Sequence, residues 1–264
     1  MTFARVNGVV LHYEERGASD LPVVVFANSL GTDFRIWDRV VKPFEGRFRF
    51  LLYDKRGHGL SEGTPPPYAM KVLVADLAAL IDHVGIDRAA VVGLSVGGVI
   101  AQGLAALRPD LVQALVLCDT APKIGGQELW AARIEAVTSR GIASIADAIL
   151  ERWFTPHYRS TGNADFAGYS AMLTRTSVEG YAGVCAALRD ADLTESTRAL
   201  KLPVLCMAGD QDGSTPPDLV RAMADIIPGA RFAVVEDCGH LPCIEQPEQT
   251  ASLIGDFLRD IKFG

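Results

Sequence analysis

Residues 89–107 read AAVVGLSVGGVIAQGLAAL, an apolar run that is followed by glycines around one serine and then by a helical pattern. This stretch predicts a buried strand, a sharp turn at Ser95 and a helix. Glycines between a strand and a helix serve two functions in proteins: they cradle a phosphate, or they let the backbone turn sharply enough to expose a nucleophile.

A nucleotide-binding loop does not fit the residues around Ser95. A dinucleotide fingerprint needs G-x-G-x-x-G after the first strand of a βαβ unit, but Ser95 occupies the place of the middle glycine and the strand lies in mid-chain. A P-loop ends in G-K-[ST], whereas apolar residues follow Gly98. Residues 93–97 instead match G-x-S-x-G, the elbow that carries a strained nucleophile. This short pattern is weak by itself, because serine between glycines also occurs in ordinary loops.

Composition limits the class of protein. The chain has 264 residues, 49% apolar and 22% charged, enough for a large core in one or two domains. A formal net charge of −7 without a Lys/Arg run argues against a nucleic-acid partner. No apolar run reaches the ~18 residues of a membrane span, and the N-terminus lacks the pattern of a secretory signal. Five cysteines without a CxxC pair fit reduced thiols. We therefore expect a cytoplasmic protein with no membrane partner.

Apolar runs alternate with helical patterns along most of the chain. Such near-continuous apolar runs are typical of parallel strands that are covered on both faces. The predicted strands are residues 21–28, 47–54, 88–95, 112–119, 202–210 and 230–240, and helical patterns cover 70–86, 96–109, 217–229 and the C-terminus. The order predicts an α/β fold with a mostly parallel central sheet flanked by helices and an antiparallel start.

Residues 121–200 interrupt this alternation, because they hold several helical patterns and no strand-like run. We expect residues 1–120 and 201–264 to form the core, and residues 121–200 to form a helical lid over the pocket, inserted before the last strands. The alternative is a helical subdomain that does not touch the substrate.

A nucleophilic serine needs a base, and the base needs an orienting acid. Among five histidines, His240 is favoured because it follows the last predicted strand, near the same carboxyl edge of the sheet as Ser95. His58, in a loop after an early strand, is a weaker candidate. For the acid, Asp210 and Asp212 both lie just beyond residues 202–208 of the predicted strand and are expected to point in different directions. Each residue alone also has an ordinary interpretation, such as a turn-capping aspartate or a solvated histidine.

Four motifs resemble those of the α/β-hydrolase family, and the resemblance extends over nearly the whole chain. DKRGHGLS resembles the family's D-x-R-G-x-G-x-S segment, GLSVGG its nucleophile elbow, GDQD its acid turn and GHLPCIEQPE its histidine loop. The resemblance implies the α/β-hydrolase fold and a catalytic triad in the family's chain order: Ser95, Asp212 and His240. Asp212 is selected because it matches the second carboxylate of the acid turn.

Three segments, two of them in the predicted lid, resemble the 3-oxoadipate enol-lactonases, which open a small anionic lactone in bacterial degradation of aromatic compounds. They are GLSVGGVIAQGLAALRPDLVQALVLCDTAPKIG, RWFTP and YAGVCAALRDADLT. This resemblance implies hydrolysis through an acyl-enzyme, with no metal and no organic cofactor. A general carboxylesterase, a cofactor-free haloperoxidase-like hydrolase and a carbon–carbon bond hydrolase would use the same triad. A ligand receptor of this fold is the alternative from another class.

Residues 28–31 read NSLG, where many relatives carry a His-Gly pair. An oxyanion hole is built from backbone amides, so this change does not remove it. By position, we expect the N–H groups of Leu30 and Val96 to be the donors. Ser29 is a candidate for a hydrogen bond to the substrate.

An anionic substrate also requires a cation or several N–H donors in the pocket. Among the arginines of the lid, Arg133 lies three residues after Trp130 on the same predicted helix face. We expect these two side chains to face inward and contact the substrate. A solvated surface position is the alternative for Arg133.

Overall fold

The computed structural model describes residues 2–160 and 162–264. Its strands are β1 (Thr2–Val6), β2 (Val9–Arg16), β3 (Val23–Ala27), β4 (Arg49–Tyr53), β5 (Ala89–Leu94), β6 (Val112–Cys118), β7 (Val204–Gly209) and β8 (Arg231–Val235). They form one eight-stranded sheet in the order β1-β2-β4-β3-β5-β6-β7-β8. β2 pairs antiparallel with β1 and β4, whereas every pairing from β4 to β8 is parallel.

Helices cover both faces of the sheet and fill the segment between β6 and β7. They are α1 (Asp38–Val41), α2 (Met70–Val84), α3 (Val96–Leu107), α4 (Gln127–Arg140), α5 (Ala146–Trp153), α6 (Ala164–Thr174), α7 (Val178–Asp190), α8 (Thr194–Arg198), α9 (Pro217–Ile226), α10 (Pro242–Glu245) and α11 (Pro247–Asp260). Short 3-10 turns cover Phe34–Trp37, Lys42–Phe44 and Ile142–Ile145. In the part of the chain that the structure describes, no helix has the length and apolarity that a membrane crossing requires.

The central strands are apolar along their whole length because they are covered on both sides. Every residue of β3, β5 and β7 is buried, and this explains why their sequences do not alternate between apolar and polar residues. The crossover helix α2 buries Leu73, Leu77 and Ile81 at intervals of four residues and ends at Gly85, which has φ 71°. The predicted α/β-hydrolase fold, with its antiparallel start, is confirmed.

The edge strand β8 is shorter than the sequence pattern predicts. It ends at Val235 and is mostly half-buried, whereas the predicted strand extends through small and polar residues to residue 240. Asp237 has φ 52°, so the chain turns there and leaves the sheet. The loop that carries His240 therefore begins earlier than predicted.

Helices α4 to α8 lie within residues 121–200, and the described part of this segment contains no strand. The inner helix of the predicted lid is α7, which is buried from Gly180 to Leu188. In contrast, α4 buries only Trp130 and Val137. The helical character agrees with the sequence pattern, while the division into core and lid stays a prediction.

Two glycines bring α7 against the loop after β4. A Cβ atom on Gly180 would overlap the carbonyl oxygen of Gly57, and a Cβ atom on Gly57 would overlap the Cα atom of Gly180. Gly57 also has φ 72°, which side chains disfavour. The lid helix therefore contacts the core backbone to backbone, with no room for a methyl group.

We predict that Gly180→Ala lowers the free energy of unfolding by about 1–3 kcal/mol, because the added methyl group must push α7 away from Gly57. Gly168→Ala in α6 is the matched control, since a Cβ atom there meets nothing within 4 Å. That control should be about 0.5–1 kcal/mol more stable than the parent. Denaturant unfolding measures both, and equal stabilities would contradict the close approach.

Candidate active site

Ser95 stands at the turn between β5 and α3 with φ 56° and ψ −119°. Such a conformation costs about 1–3 kcal/mol and persists only where neighbours fix the backbone. The Ser95 N–H donates to the Cys118 carbonyl at 3.0 Å. The Ser95 carbonyl accepts hydrogen bonds from Thr120 Oγ1 at 2.7 Å and from the Gly98 N–H at 2.8 Å. The strained elbow is therefore held by β6 on one side and α3 on the other.

The glycines on either side of Ser95 are required by close backbone contacts. A Cβ atom on Gly97 would overlap the Ala27 carbonyl at the end of β3, and one on Gly93 would overlap the Gly97 carbonyl. Any side chain at these two positions would push the elbow out of the sheet edge. The G-x-S-x-G pattern thus has a steric cause in this chain.

His240 and Asp212 form a buried hydrogen-bonded pair, with 2.8 Å between His240 Nδ1 and Asp212 Oδ2. Asp212 also accepts hydrogen bonds from the Ser214 N–H at 2.6 Å and from Thr215 Oγ1 at 2.7 Å. Burial acts to raise the pKa of Asp212, but His240 and these donors lower the pKa to about 2. The carboxylate is therefore ionised at neutral pH and can hold the imidazole in one orientation.

The neighbouring carboxylate, Asp210, points elsewhere. Its Oδ1 atom accepts a hydrogen bond from the Cys238 N–H at 2.8 Å, and the residue is exposed. Of the two aspartates that the sequence offered, Asp212 is the one that contacts His240. The weaker base candidate, His58, is buried with its Nδ1 atom 3.2 Å from the Arg56 carbonyl oxygen.

The histidine loop is fixed by the lid segment RWFTP as well as by the core. The His240 N–H donates to the Trp153 carbonyl at 2.8 Å. The half-buried Glu245 carboxylate accepts hydrogen bonds from Thr155 Oγ1 and the Gly239 N–H, both at 2.7 Å. A lid segment that resembles the enol-lactonases therefore positions the backbone of the predicted base.

The sequence pattern did not single out Asp119, which follows β6 and lies beside this pair. Asp119, Asp212 and His240 each present one polar atom, all within 4.8 Å of one another. Asp119 has φ 45°, accepts a hydrogen bond from the Gly209 N–H at 2.8 Å, and buries its Oδ2 atom without a partner. Burial and the negative charge of Asp212 raise the pKa of Asp119 well above its usual range. Its position as an acidic residue directly after a buried strand is the feature of the sequence that could have indicated a site residue.

The three polar side chains also have to be tested as metal ligands. The Nδ1 atom of His240 and the Oδ2 atom of Asp212 are already bonded to each other. The raised pKa of Asp119 favours its protonated form, and metal ligands must be deprotonated. This donor set fits a hydrogen-bonded Asp–His pair, beside a carboxyl group whose pKa is raised, better than it fits a metal site.

Ser95 lies at the end of β5, and Asp212 and His240 follow β7 and β8, so all three lie at the carboxyl edge of the sheet. Asp119 lies between the strands that carry them. Its neighbour Cys118 accepts a hydrogen bond from the Ser95 N–H through its carbonyl oxygen, and the Asp119 carboxylate accepts one from the Gly209 N–H at the end of β7. Within residues 2–160 and 162–264, no hydrogen bond joins the Ser95 hydroxyl to His240. Catalytic hydrogen bonds often tighten only when substrate binds, so the role of the three residues as a triad stays a prediction.

The expected oxyanion donors are free. Within the described ranges, neither the Leu30 N–H nor the Val96 N–H donates a hydrogen bond. The loop and the elbow are in contact, because a Cβ atom on Gly97 would lie 2.9 Å from the Asn28 carbonyl oxygen. Two unpaired N–H groups beside a serine can bind a developing oxyanion. Ser29 is buried, and its contact with substrate stays a prediction.

The side chains of Trp130 and Arg133 lie against each other in α4, while their contact with substrate stays a prediction. Trp130 is buried and its Nε1 donates to the Ile124 carbonyl at 2.6 Å, while the Arg133 Cζ atom lies 5.0 Å from the Trp130 ring centroid. Burial raises the pKa of Tyr181 and of Cys185 in α7, and the charge of Arg133 opposes this rise. The half-buried guanidinium therefore lies close to the inner lid helix.

Tyr181 connects Arg133 to the oxyanion loop. Its hydroxyl is buried without a hydrogen-bond partner. Its Cε2 atom would lie 3.3 Å from a Cβ atom on Gly31, the residue after Leu30. An unpaired hydroxyl and a cation thus lie on the lid side of the expected oxyanion hole.

A cavity of about 1150 Å³ lies away from these groups, between β2, the loop after β3 and α6, and neither Ser95, Asp212 nor His240 lines it. Acidic and basic residues are mixed along its wall, and three of its arginines form salt bridges with nearby carboxylates: Arg16, Arg35 and Arg39. This cavity is therefore separate from the region that the elbow and the Asp212–His240 pair define.

The fold and the elbow define the class of the protein. The profile of the Alpha/beta hydrolase family matches residues 14–253. The chain therefore belongs to the alpha/beta hydrolase family, and it is a hydrolase.

Comparison with individual proteins shows which hydrolases the chain is similar to. The chain is 35% identical over 240 residues to 3-oxoadipate enol-lactonase 2 of Acinetobacter baylyi, covering 91% of this chain and 90% of that protein. The crystal structure of the enol-lactonase from Burkholderia xenovorans LB400 superposes with a TM-score of 0.95 at 37% identity, covering 98% of this chain and 100% of that one. A thermophilic esterase from Thermogutta terrifontis has a TM-score of 0.92 at 28% identity, with 99% of each chain covered. The chain is thus similar both to enol-lactonases and to an esterase.

We predict that Asp212→Asn lowers kcat by about 10³- to 10⁴-fold, because an amide stabilises the wrong tautomer of His240 and does not stabilise its protonated form. Asp210→Asn, the matched control, keeps an acceptor for the Cys238 N–H and should cost less than about tenfold. Steady-state hydrolysis of p-nitrophenyl acetate measures both. A larger loss of kcat for Asp210→Asn than for Asp212→Asn would mean that Asp210 is the acid and that the assignment to Asp212 is wrong.

Proposed function

We propose that the protein hydrolyses the enol-lactone of 3-oxoadipate to 3-oxoadipate, in the bacterial degradation of aromatic compounds, with Ser95 as nucleophile. The supporting observation is the combination of a strained elbow serine and a buried Asp212–His240 pair with a half-buried lid cation, Arg133. Sequence and structural similarity to proteins named enol-lactonases over more than 90% of the chain also favours this substrate.

Acylation begins with proton transfer from the Ser95 hydroxyl to the Nε2 atom of His240. The serine oxygen attacks the lactone carbonyl, and the carbonyl oxygen takes up the negative charge. Collapse of the tetrahedral intermediate breaks the ring C–O bond, and the His240 imidazolium protonates the enol oxygen that leaves. Asp212 stabilises the imidazolium through the 2.8 Å hydrogen bond to Nδ1.

Two backbone donors stabilise the oxyanion in each half of the reaction. The free N–H groups of Leu30 and Val96 are the donors, and losing one such group costs about 3 kcal/mol. Water, activated by His240, then attacks the acyl-enzyme through a second oxyanion and releases Ser95. The enol product tautomerises to 3-oxoadipate.

The carboxylate of the substrate requires a partner away from the reacting carbonyl. Arg133 is suited to this role because its guanidinium is half-buried against Trp130 and close to the unpaired hydroxyl of Tyr181. Charge-assisted hydrogen bonds from these groups would select a small anionic lactone over a neutral ester.

A general carboxylesterase is the second candidate, favoured by the similarity to the Thermogutta terrifontis esterase. The same triad and oxyanion donors would serve both reactions. Parallel assays with the enol-lactone and with p-nitrophenyl acetate discriminate the two. We expect kcat/KM to be much higher for the lactone, whereas turnover of the ester alone would favour the esterase.

We predict that Ser95→Ala abolishes turnover of both substrates while the melting temperature stays the same or rises. The variant loses the nucleophile, and alanine removes only one hydroxyl from the buried elbow. Hydrolysis rates and thermal unfolding check the two outcomes together. Activity within tenfold of the parent would exclude Ser95 as nucleophile.

We predict that Arg133→Met lowers kcat/KM for the anionic lactone by a factor that corresponds to about 1–3 kcal/mol of activation free energy. The loss should come mainly from a higher KM, because the lost contact is remote from the reacting carbonyl. Hydrolysis of neutral p-nitrophenyl acetate should remain unchanged. The exposed Arg140, in the same helix, provides the matched control Arg140→Met, which should behave as the parent on both substrates. Equal losses on the two substrates would mean that Arg133 shapes the lid and does not bind the carboxylate.

A further inference from the structure

Lys55 is a buried cation that the proposed reaction does not use. It lies in the loop after β4 and is 1% exposed. Its Nζ atom donates a hydrogen bond to the Ser29 carbonyl oxygen at 2.6 Å and lies 3.5 Å from the Thr32 carbonyl oxygen. The side chain therefore reaches the loop that carries the expected oxyanion donor, Leu30.

The groups around Lys55 are hydrogen-bonded without it. The Ser29 carbonyl also accepts a hydrogen bond from Thr32 Oγ1 at 2.9 Å. The Asp54 carboxylate is paired with His12 Nδ1 at 2.7 Å, and it accepts two further hydrogen bonds, from the backbone N–H groups of residues 34 and 60. Since burying a charge is costly, an apolar side chain of similar length would suit folding better.

We propose that Lys55 is a positioning residue of the oxyanion hole, whose ammonium group binds the Ser29 carbonyl and thereby orients and polarises the Leu30 N–H. The Ser29 carbonyl and the Leu30 N–H belong to one planar peptide unit, and they point in opposite directions. A cation on the carbonyl oxygen draws electron density through the conjugated unit and makes the N–H a stronger donor. This inference rests on the proposed serine mechanism, but it does not depend on the identity of the substrate.

The charge of Lys55 changes near neutral pH. Burial lowers the pKa of Lys55 to about 7, against the opposing charges of Asp54 and Asp33. Another titratable group beside Lys55 is His58, whose pKa is lowered well below its usual range by burial and by the charge of Lys55. Asp54 is paired with His12, and Asp33 is paired with Arg35 at 2.6 Å. Below pH 7 Lys55 is an ammonium ion, and above pH 7 it is increasingly a neutral and weaker donor.

The pH dependence of kcat and that of stability follow from this titration with opposite signs. Stabilisation of the oxyanion by Lys55 is present below its folded pKa and is lost as pH rises through about 7. For folding, the pKa is lower in the folded chain than in the unfolded chain, so the folded chain binds fewer protons between about pH 7 and the ordinary lysine pKa. The buried ammonium therefore destabilises the fold most at and below neutral pH, and Lys55→Met should not lower the melting temperature there.

The test uses p-nitrophenyl acetate, because every acyl transfer to serine forms an oxyanion. We expect Lys55→Met to lower kcat about tenfold at pH 6.5, less than the loss of a whole donor, with KM within about twofold of the parent. The kcat of the parent should fall as pH rises above 7, and this fall should be absent from Lys55→Met. Thr32→Val removes a neutral hydrogen bond to the same carbonyl, so it should cost less and keep the fall. The exposed Lys71→Met is the unchanged control.

A parental kcat in Lys55→Met at pH 6.5, or a fall above pH 7 that survives in it, would overturn the role of Lys55. Should the variant not fold, a parental kcat that does not fall between pH 6.5 and 8.5 would overturn it as well. Ester hydrolysis that persists in Ser95→Ala would reject the serine mechanism, and the proposed role of Lys55 would be rejected with it. Inactivity toward the enol-lactone, together with the predicted Lys55 effects on p-nitrophenyl acetate, would reject the proposed substrate and retain Lys55.

Discussion

The left-handed backbone of Ser95 is the constraint on which the rest of the site depends. A serine with φ 56° persists only because β6 binds its N–H and the Thr120 hydroxyl binds its carbonyl. This geometry requires glycine at positions 93 and 97, because backbone atoms occupy the space of their Cβ atoms. The strain is thus distributed over three strands, and it leaves the hydroxyl at the carboxyl edge of the sheet next to the free N–H of Val96.

Around this elbow, the two buried carboxyl groups have pKa values shifted in opposite directions. Asp212 remains ionised because His240 and three donors on the following turn bind it, whereas Asp119 lies beside it with a raised pKa. One carboxylate can therefore hold the imidazole, while the raised pKa of its neighbour opposes a second negative charge beside it. The buried Lys55 binds the Ser29 carbonyl in the loop that carries the expected oxyanion donor, Leu30. The field of these groups would favour negative charge on the carbonyl oxygen of a substrate and positive charge on the imidazole.

The sequence predicted the parts of this arrangement that depend on chain order and periodicity. Apolar runs located the buried strands, and the carboxyl edge of a parallel sheet brought Ser95, Asp212 and His240 into one region. The predicted last strand continued to residue 240, whereas β8 ends with its apolar run at Val235, and the pattern does not show the positive φ at Asp237. The sequence did not predict the positions of Asp119 and Lys55 at the site. Their importance lies in where the side chains point and which partners they lack or bind, and these properties arise from packing between distant segments.

The central claim is that Ser95 is a nucleophile activated by the Asp212–His240 pair, and covalent trapping tests it most directly. Diethyl p-nitrophenyl phosphate transfers a diethylphosphoryl group to an activated serine and releases one p-nitrophenolate, and peptide mapping by mass spectrometry then locates the group. We predict one diethylphosphoryl group per chain, on Ser95, with labelling greatly slowed in Asp212→Asn. Stoichiometric labelling of another residue, or ester turnover by a chain that takes up no label, would contradict the assignment.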